Sequence, residues 1–166
     1  DAGFILAGGT VSGKVVVDKN LNNRLDSQDL PMPGALVQLH NMSGLLIDSK
    51  ISDTNGEYSF YPVLEGQYYL VFKKMTGYIF ADPYTTGNTN TDFDVDESIS
   101  SGSTTYFNVY NLQTVGHIDA GLQDARGSLS GVVWLDANSN GLLDFEPGVG
   151  NVLVELISLE TNQVVE

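Results

Sequence analysis

Two short stretches of this chain gather oxygen-bearing side chains at regular spacing. The first is Asp18-Lys-Asn20-Leu-Asn22-Asn23-Arg24-Leu-Asp26-Ser-Gln-Asp29, the second Asp136-Ala-Asn138-Ser-Asn140-Gly141-Leu142-Leu-Asp144-Phe-Glu146. Counted from each opening aspartate, carboxylate or amide oxygens fall at positions 1, 3, 5 and 9. A further carboxylate stands at position 12 of the first copy and 11 of the second. A chain wound tightly about a point turns every second side chain inward. A hard cation that takes six to eight oxygens at about 2.3–2.6 Å suits such a ring. The expected chemistry is calcium coordination, by Asp18, Asn20, Asn22, Asp26 and Asp29 in one loop and by Asp136, Asn138, Asn140, Asp144 and Glu146 in the other. Position 7 would lend a backbone carbonyl, from Arg24 and Leu142. Position 6 needs a left-handed backbone, which Gly141 adopts freely and Asn23 tolerates next best. Asn, Asp and Gly are ordinary turn formers, so one such stretch alone would equally describe a solvated acidic turn. Recurrence favours the metal.

The elements that must position these loops are strands. Lys14-Val-Val-Val17 and Val132-Val-Trp134-Leu precede them, and Ala35-Leu-Val-Gln-Leu39 and Val152-Leu-Val-Glu-Leu156 follow. These runs are β-branched with a period near two, whereas a helix-flanked calcium site would need a 3.6-residue period. The ion would pin a connection between strands.

Composition narrows the classes of partner. Seven basic against 21 acidic residues give a formal charge of −14, which argues against nucleic acid and anionic membranes. No apolar run approaches the length needed to span a bilayer, so no membrane insertion is expected. Cysteine is absent, so no disulfide can staple the fold and rigidity must come from elsewhere. Bound calcium would supply it, and without metal the clustered carboxylates should repel and loosen the fold. The chain opens at Asp1 without methionine or a visible signal peptide, as a fragment or processed form of something longer would.

The sequence also repeats itself. Asp119-Ala-Gly-Leu122 echoes Asp1-Ala-Gly-Phe4 at an offset of 118, which Ser12-Gly13 with Ser130-Gly131 and Asp18 with Asp136 share. One deletion later, Leu39 matches Leu156. This predicts a closing-strand motif and linker over 1–10 and a complete unit over 11–122. A short linker over 123–127 and the first strands of a second unit over 128–166 follow. Within the complete unit, strands are expected at 13–17, 35–40, 45–52, 57–60, 68–72, 104–109 and 117–122. Tyr68, Leu70 and Phe72 would face a core, and 85–103 would form a polar, flexible stretch. Short strands with regular turn signals and no helical period give an all-β fold, a β-sandwich.

At this point the chain resembles the SdrD B-like repeats of bacterial surface adhesins, relatives of the Cna-B domain. Gly131, Val133, Trp134, Asp136, Asn138, Asn140, Gly141, Asp144, Glu146, Pro147, Gly148 and Leu156 follow their G-x-V-W-x-D-x-N-x-N-G pattern and its continuation. Asp53-Thr-Asn55-Gly56-Glu-Tyr58-Ser-Phe60, Leu64-Glu-Gly66-Gln-Tyr68 and Asp119–Leu122 look like the later hallmarks. The resemblance implies a prealbumin-like (Ig-like) β-sandwich with calcium in the D-x-N-x-N loop, serving as a rigid spacer in an extracellular stalk at the cell surface. It also implies a contribution of Asp53 and Asn55 to further calcium binding, where a bare reading of the residues gives a hairpin turn. The first copy departs from the pattern: Asn23-Arg24 stand where glycine is preferred, Asp29 falls one residue late, and Val16 replaces the tryptophan.

Three further features carry candidate chemistry. Asp92-Phe-Asp94-Val-Asp96 alternates three carboxylates on one side of an extended segment, suited to a shared cation or to solvent. Lys14 lies where some Cna-B relatives form a Lys–Asn isopeptide, although lysine at a strand edge also guards against aggregation. His40 and His117 are far apart, and nothing pairs either with a nucleophile and an orienting acid, so no enzyme is expected. Three roles remain: a calcium-rigidified spacer contacting neighbouring repeats, a module binding an extracellular protein or glycan, and a subunit of a head-to-tail homopolymer. In the last, the region of Asp1–Phe4 would complete another subunit's unfinished unit by strand addition.

Overall fold

A computed structural model describes residues 7–127, 129–158 and 162–164. The expected motif at Asp1–Phe4 lies outside the described residues. The chain divides into two compact units that part between Arg126 and Gly127.

The first unit is all β and built from two sheets. Its strands among the described residues are β1 (Gly9–Val17), β2 (Leu30–Pro31), β3 (Leu36–Asn41), β4 (Leu46–Ile51), β5 (Glu57–Val63), β6 (Gly66–Phe72), β7 (Tyr78–Phe80), β8 (Phe107–Val109), β9 (Thr114–Val115) and β10 (Ala120–Asp124). One sheet runs β4-β3-β6-β8, antiparallel throughout. The other is organised by β1, whose two halves take different partners. Its first half pairs antiparallel with β5 and parallel with β9. Its second half pairs antiparallel with β2 and parallel with β10, which continues to β7. The long β1 therefore delivers the chain to Asp18 with Val17 held opposite Leu122.

Alternation along the strands builds the core. Tyr68, Leu70 and Phe72 point inward as expected, joined by Val11, Val15, Val37, Leu39, Phe60, Val109 and Leu122. A satellite cluster of Val16, Ala81 and Phe93, with Leu25 against it, lies beneath the first acidic loop. Gly121 is required there, because a Cβ on it would fall 2.3 Å from Phe93 Cε2.

Two expectations need correction. The 85–103 segment is anchored through its middle, not loose throughout: Phe93 and Val95 are fully buried, and Leu25 N–H donates to the Thr91 carbonyl at 2.7 Å. The acids and the apolar residues of Asp92–Asp96 alternate, so a reading by overall polarity hides the buried half. The strands expected beside the second loop also do not form. Among the described residues of 127–166 there are only the isolated bridges Trp134–Gly148 and Ile157–Val164. In the first unit β1 is held by β5, β9 and β10, and the described residues of 127–166 form no counterpart of these.

Candidate metal centre

Both acidic loops close on the same internal hydrogen bonds. In the first, Asp18 Oδ1 accepts the Asn22 N–H at 3.2 Å and Asp18 Oδ2 the Asn23 N–H at 2.9 Å. In the second, Asp136 Oδ1 and Oδ2 accept the Asn140 and Gly141 N–H groups at 3.1 and 3.0 Å. The side-chain amides of positions 3 and 5 reach the position 9 carboxylate each time. Asn20 and Asn22 lie 3.2 and 2.7 Å from Asp26 Oδ2, while Asn138 and Asn140 lie 3.1 and 2.8 Å from Asp144 Oδ1 and Oδ2. The Arg24 and Leu142 N–H groups donate to the Asn22 and Asn140 side-chain oxygens. At position 6, Asn23 (φ 57°) and Gly141 (φ 75°) both take the left-handed backbone. The spacing of residue types alone produces this winding, since the loops share no tertiary surroundings.

The last carboxylate of each loop completes the parallel. Asp29 Oδ2 accepts the Asp26 N–H at 3.0 Å and Glu146 Oε1 accepts the Ala137 N–H at 2.8 Å. The second oxygen of each, Asp29 Oδ1 and Glu146 Oε2, is buried without a hydrogen-bond partner. A buried carboxylate oxygen left unsatisfied costs free energy, and the last carboxylate of each loop keeps one such oxygen. Burial raises the Asp29 pKa, and the nearby Asp18 and Asp26 charges add to the rise. Asp26 is held low by the Gln28 N–H and by the Asn22 and Asn20 amides. The donor set is all oxygen, hard and rich in carboxylate, and it fits calcium. Among the described residues no three His, Cys, Asp or Glu side chains gather tightly enough to hold a metal by themselves. The three carboxylates of each loop, Asp18, Asp26 and Asp29 in the first and Asp136, Asp144 and Glu146 in the second, are therefore not drawn onto one point.

The loops differ in setting. Asp18 is fully buried and Gln123 Nε2, from β10, donates to its Oδ2 at 2.9 Å. Asp136 is exposed. Gln123 was not foreseen from sequence. It directly follows the Asp119–Leu122 motif, and only the parallel register of β1 with β10 brings it to Asp18.

The remaining candidates are placed as follows. Asp53 Oδ1 accepts the Asn55 and Glu57 N–H groups at 2.8 and 2.9 Å, closing the β4–β5 turn. Asn55 lines a hollow of about 340 Å³ together with Asp26, Asp29 and Glu57, so this turn borders the first loop. Asp92, Asp94 and Asp96 are not brought together. Asp92 accepts from the Thr86 N–H and hydroxyl, Asp94 from the Asp119 N–H, and Asp96 from Ser98. Lys14 Nζ pairs with Glu57 Oε1 at 3.0 Å in solvent. The His40 ring stacks on Tyr69 with centroids 5.2 Å apart, and that of His117 makes no hydrogen bond among the described residues. His117 lines a hollow with Ser12, Ser59 and Asp119.

A two-sheet, all-β repeat closed by its first and last strands, with an oxygen-lined loop at the end of β1, is the class of protein these features define. The SdrD B-like domain profile matches residues 9–122, and the chain belongs to that family. It is 30% identical over 140 residues to serine-aspartate repeat-containing protein D of Staphylococcus aureus (strain Newman), covering 84% of this chain and 10% of that protein. It is 31% identical over 141 residues to serine-aspartate repeat-containing protein C of the same strain, covering 84% and 14%. The chain thus spans about a tenth of the length of the relatives it matches. Among solved structures, the minor pilin GBS52 of Streptococcus agalactiae aligns with a TM-score of 0.48 at 13% identity, over 77% of this chain and 49% of that one. No helix among the described residues is long and apolar enough to cross a membrane.

Proposed function

We propose that the repeat is a calcium-rigidified structural spacer of an extracellular, cell-surface protein. Asp18, Asn20, Asn22, Asp26 and Asp29 with the Arg24 carbonyl would hold one ion. Asp136, Asn138, Asn140, Asp144 and Glu146 with the Leu142 carbonyl would hold another. Calcium supplies charge neutralisation and a rigid centre. The chain's own residues supply the left-handed corner of each loop and, in the first, the strand that anchors position 1. The observation that carries this reading is the pair of orphaned buried oxygens, Asp29 Oδ1 and Glu146 Oε2, in loops of the same internal geometry. Family membership supports the surface role, since the relatives are serine-aspartate repeat proteins of a bacterium.

The test is thermal unfolding with calcium and with excess chelator, because a ligand of the folded state alone raises its stability with concentration. At free calcium about 100-fold above its dissociation constant, one site adds about 2.7 kcal/mol. A melting temperature indifferent to chelator would sink the metal reading and leave two acidic turns. A second reading, a head-to-tail homopolymer, draws on the apolar side chains exposed in the second unit, Leu135, Leu153 and Val154 among them. Particle size in the same samples decides it, because a filament subunit polymerises at micromolar concentration and a spacer does not.

A further inference from the structure

Asn23 stands at the corner where the second loop has Gly141, and its side chain makes contacts glycine cannot. Asn23 Oδ1 accepts the Asp82 N–H at 3.0 Å and Gln123 Nε2 at 2.8 Å. The Asn23 backbone carbonyl accepts the Thr85 hydroxyl at 2.5 Å. The Gln123 nitrogen is the same one that donates to Asp18 Oδ2. One amide group on β10 therefore spans positions 1 and 6 of the loop. Gln123 and Asp124 pair with Ile79 and Tyr78 of β7. Beyond them the Ala125 N–H donates to the Gly77 carbonyl at 2.9 Å, and Arg126 forks onto Asp124. This is where the chain leaves the first unit.

We propose that Asn23 and Gln123 form a brace that transmits the state of the first loop to the exit of the repeat at Ala125–Arg126. They are positioning residues, and the proposal rests on the calcium reading above. Asp18 is buried, so its charge-assisted bonds to Asn22, Asn23 and Gln123 are strong. If the loop opens, Gln123 loses both acceptors at once and its amide is left without partners, which loosens the end of β10. Fixing Asp18 in a filled loop accordingly fixes the exit. The sequence signature is asparagine at position 6 together with glutamine directly after D-A-G-L, and the second loop, with Gly141, lacks it.

Amide hydrogen exchange of the whole chain, read residue by residue by NMR with calcium and with chelator, tests the brace. The Asn23 and Leu25 amides report the loop, the Asp82 amide the corner and the Ala125 amide the exit. At free calcium about 100-fold above the dissociation constant, the loop amides should slow on the order of 100-fold. Ala125 should slow by about ten-fold, the factor set by one charge-assisted hydrogen bond. Asn23→Gly keeps the left-handed corner and Gln123→Leu keeps the side-chain bulk. In both variants the loop amides should retain their calcium response while Ala125 loses it. Ala125 responding equally in the wild type and both variants overturns the brace, as does a wild-type loop that responds while Ala125 does not. Wild-type loop amides indifferent to calcium would instead overturn the metal reading itself, and the brace with it.

Discussion

Asp94 and Asp119 meet where the 85–103 segment joins the start of β10, and their charge should set how stability depends on pH. Asp94 Oδ2 accepts the Asp119 N–H at 2.8 Å, and the Asp94 N–H donates to the Asp119 carbonyl at 2.8 Å. Asp119 Oδ1 accepts the Lys14 N–H at 2.7 Å, while its Oδ2 is buried without a partner. Burial pushes Asp94 up to about 7, and the Asp119 and Asp92 charges add to it. Burial also pushes Asp119 up to about 6, against the pull of the Lys14 N–H and the His117 and Lys14 charges. The folded state therefore keeps protons that the unfolded chain has released by about pH 5. The stability this confers is fully present below about pH 4 and is lost as pH rises through 6 to 7. For Asp94, raised from 3.8 to about 7, the loss is up to about 4 kcal/mol at 1.36 kcal/mol per pH unit. It is an upper figure, because the neighbouring Asp119 titrates over the same range. Asp94→Asn keeps an oxygen for the Asp119 N–H and presents an amide donor beside the Asp119 carboxylate. Urea unfolding in excess chelator at about pH 5 and pH 8 should show the variant's advantage over the wild type growing by about 2 kcal/mol from the lower pH to the higher. A variant that loses as much stability as the wild type between those pH values would refute the reasoning.

Three further substitutions probe the site and its supports. Asp29→Asn removes a carboxylate that burial and its neighbours already disfavour, so stability in chelator should hold or rise slightly. The calcium-induced rise in melting temperature should fall by about half or more, since a carboxylate ligand is lost. An undiminished calcium shift in scanning calorimetry would remove Asp29 from the ligand set. Gly121→Ala drives a Cβ into the Phe93 ring and should cost about 1–3 kcal/mol in urea unfolding. Combining it with Phe93→Leu should recover part of that loss, whereas simple additivity would show that the two do not share the space. Lys14→Ala breaks an ion pair whose side chains are 46% and 52% exposed, and should change stability by less than about 0.5 kcal/mol.

Features whose physics is local were legible in the sequence. Period-two alternation foretold the inward Tyr68, Leu70 and Phe72, and the all-β character followed from short runs punctuated by turn residues. The winding of each acidic loop rests on contacts four or five residues apart, which is why position 6 came out left-handed in both. What escaped was set by register between distant strands. β7 is three residues long and exists because Phe80 can pair with Leu122 of β10. Phe93 and Val95 were hidden by the three acids interleaved with them. Gln123 reaches Asp18 across 105 residues of sequence, with no local mark on either residue. The strands expected beside the second loop do not form, because a strand needs neighbours and the described residues of 127–166 provide none of those that hold β1.

The two loops together separate what a metal loop encodes from what its surroundings add. Stripped of flanking strands, the second loop keeps the same bonds among positions 1, 3, 5, 6, 7 and 9 as the first. Its geometry therefore follows from residue type and spacing alone. The first loop adds burial of Asp18, the Gln123 donor and the Leu25 contact with Phe93. Burial of a carboxylate is unfavourable unless donors or a cation compensate it. In this setting the loop and the sandwich are coupled: whatever neutralises the loop stabilises the sheet that buries Asp18, and whatever loosens that sheet weakens the loop.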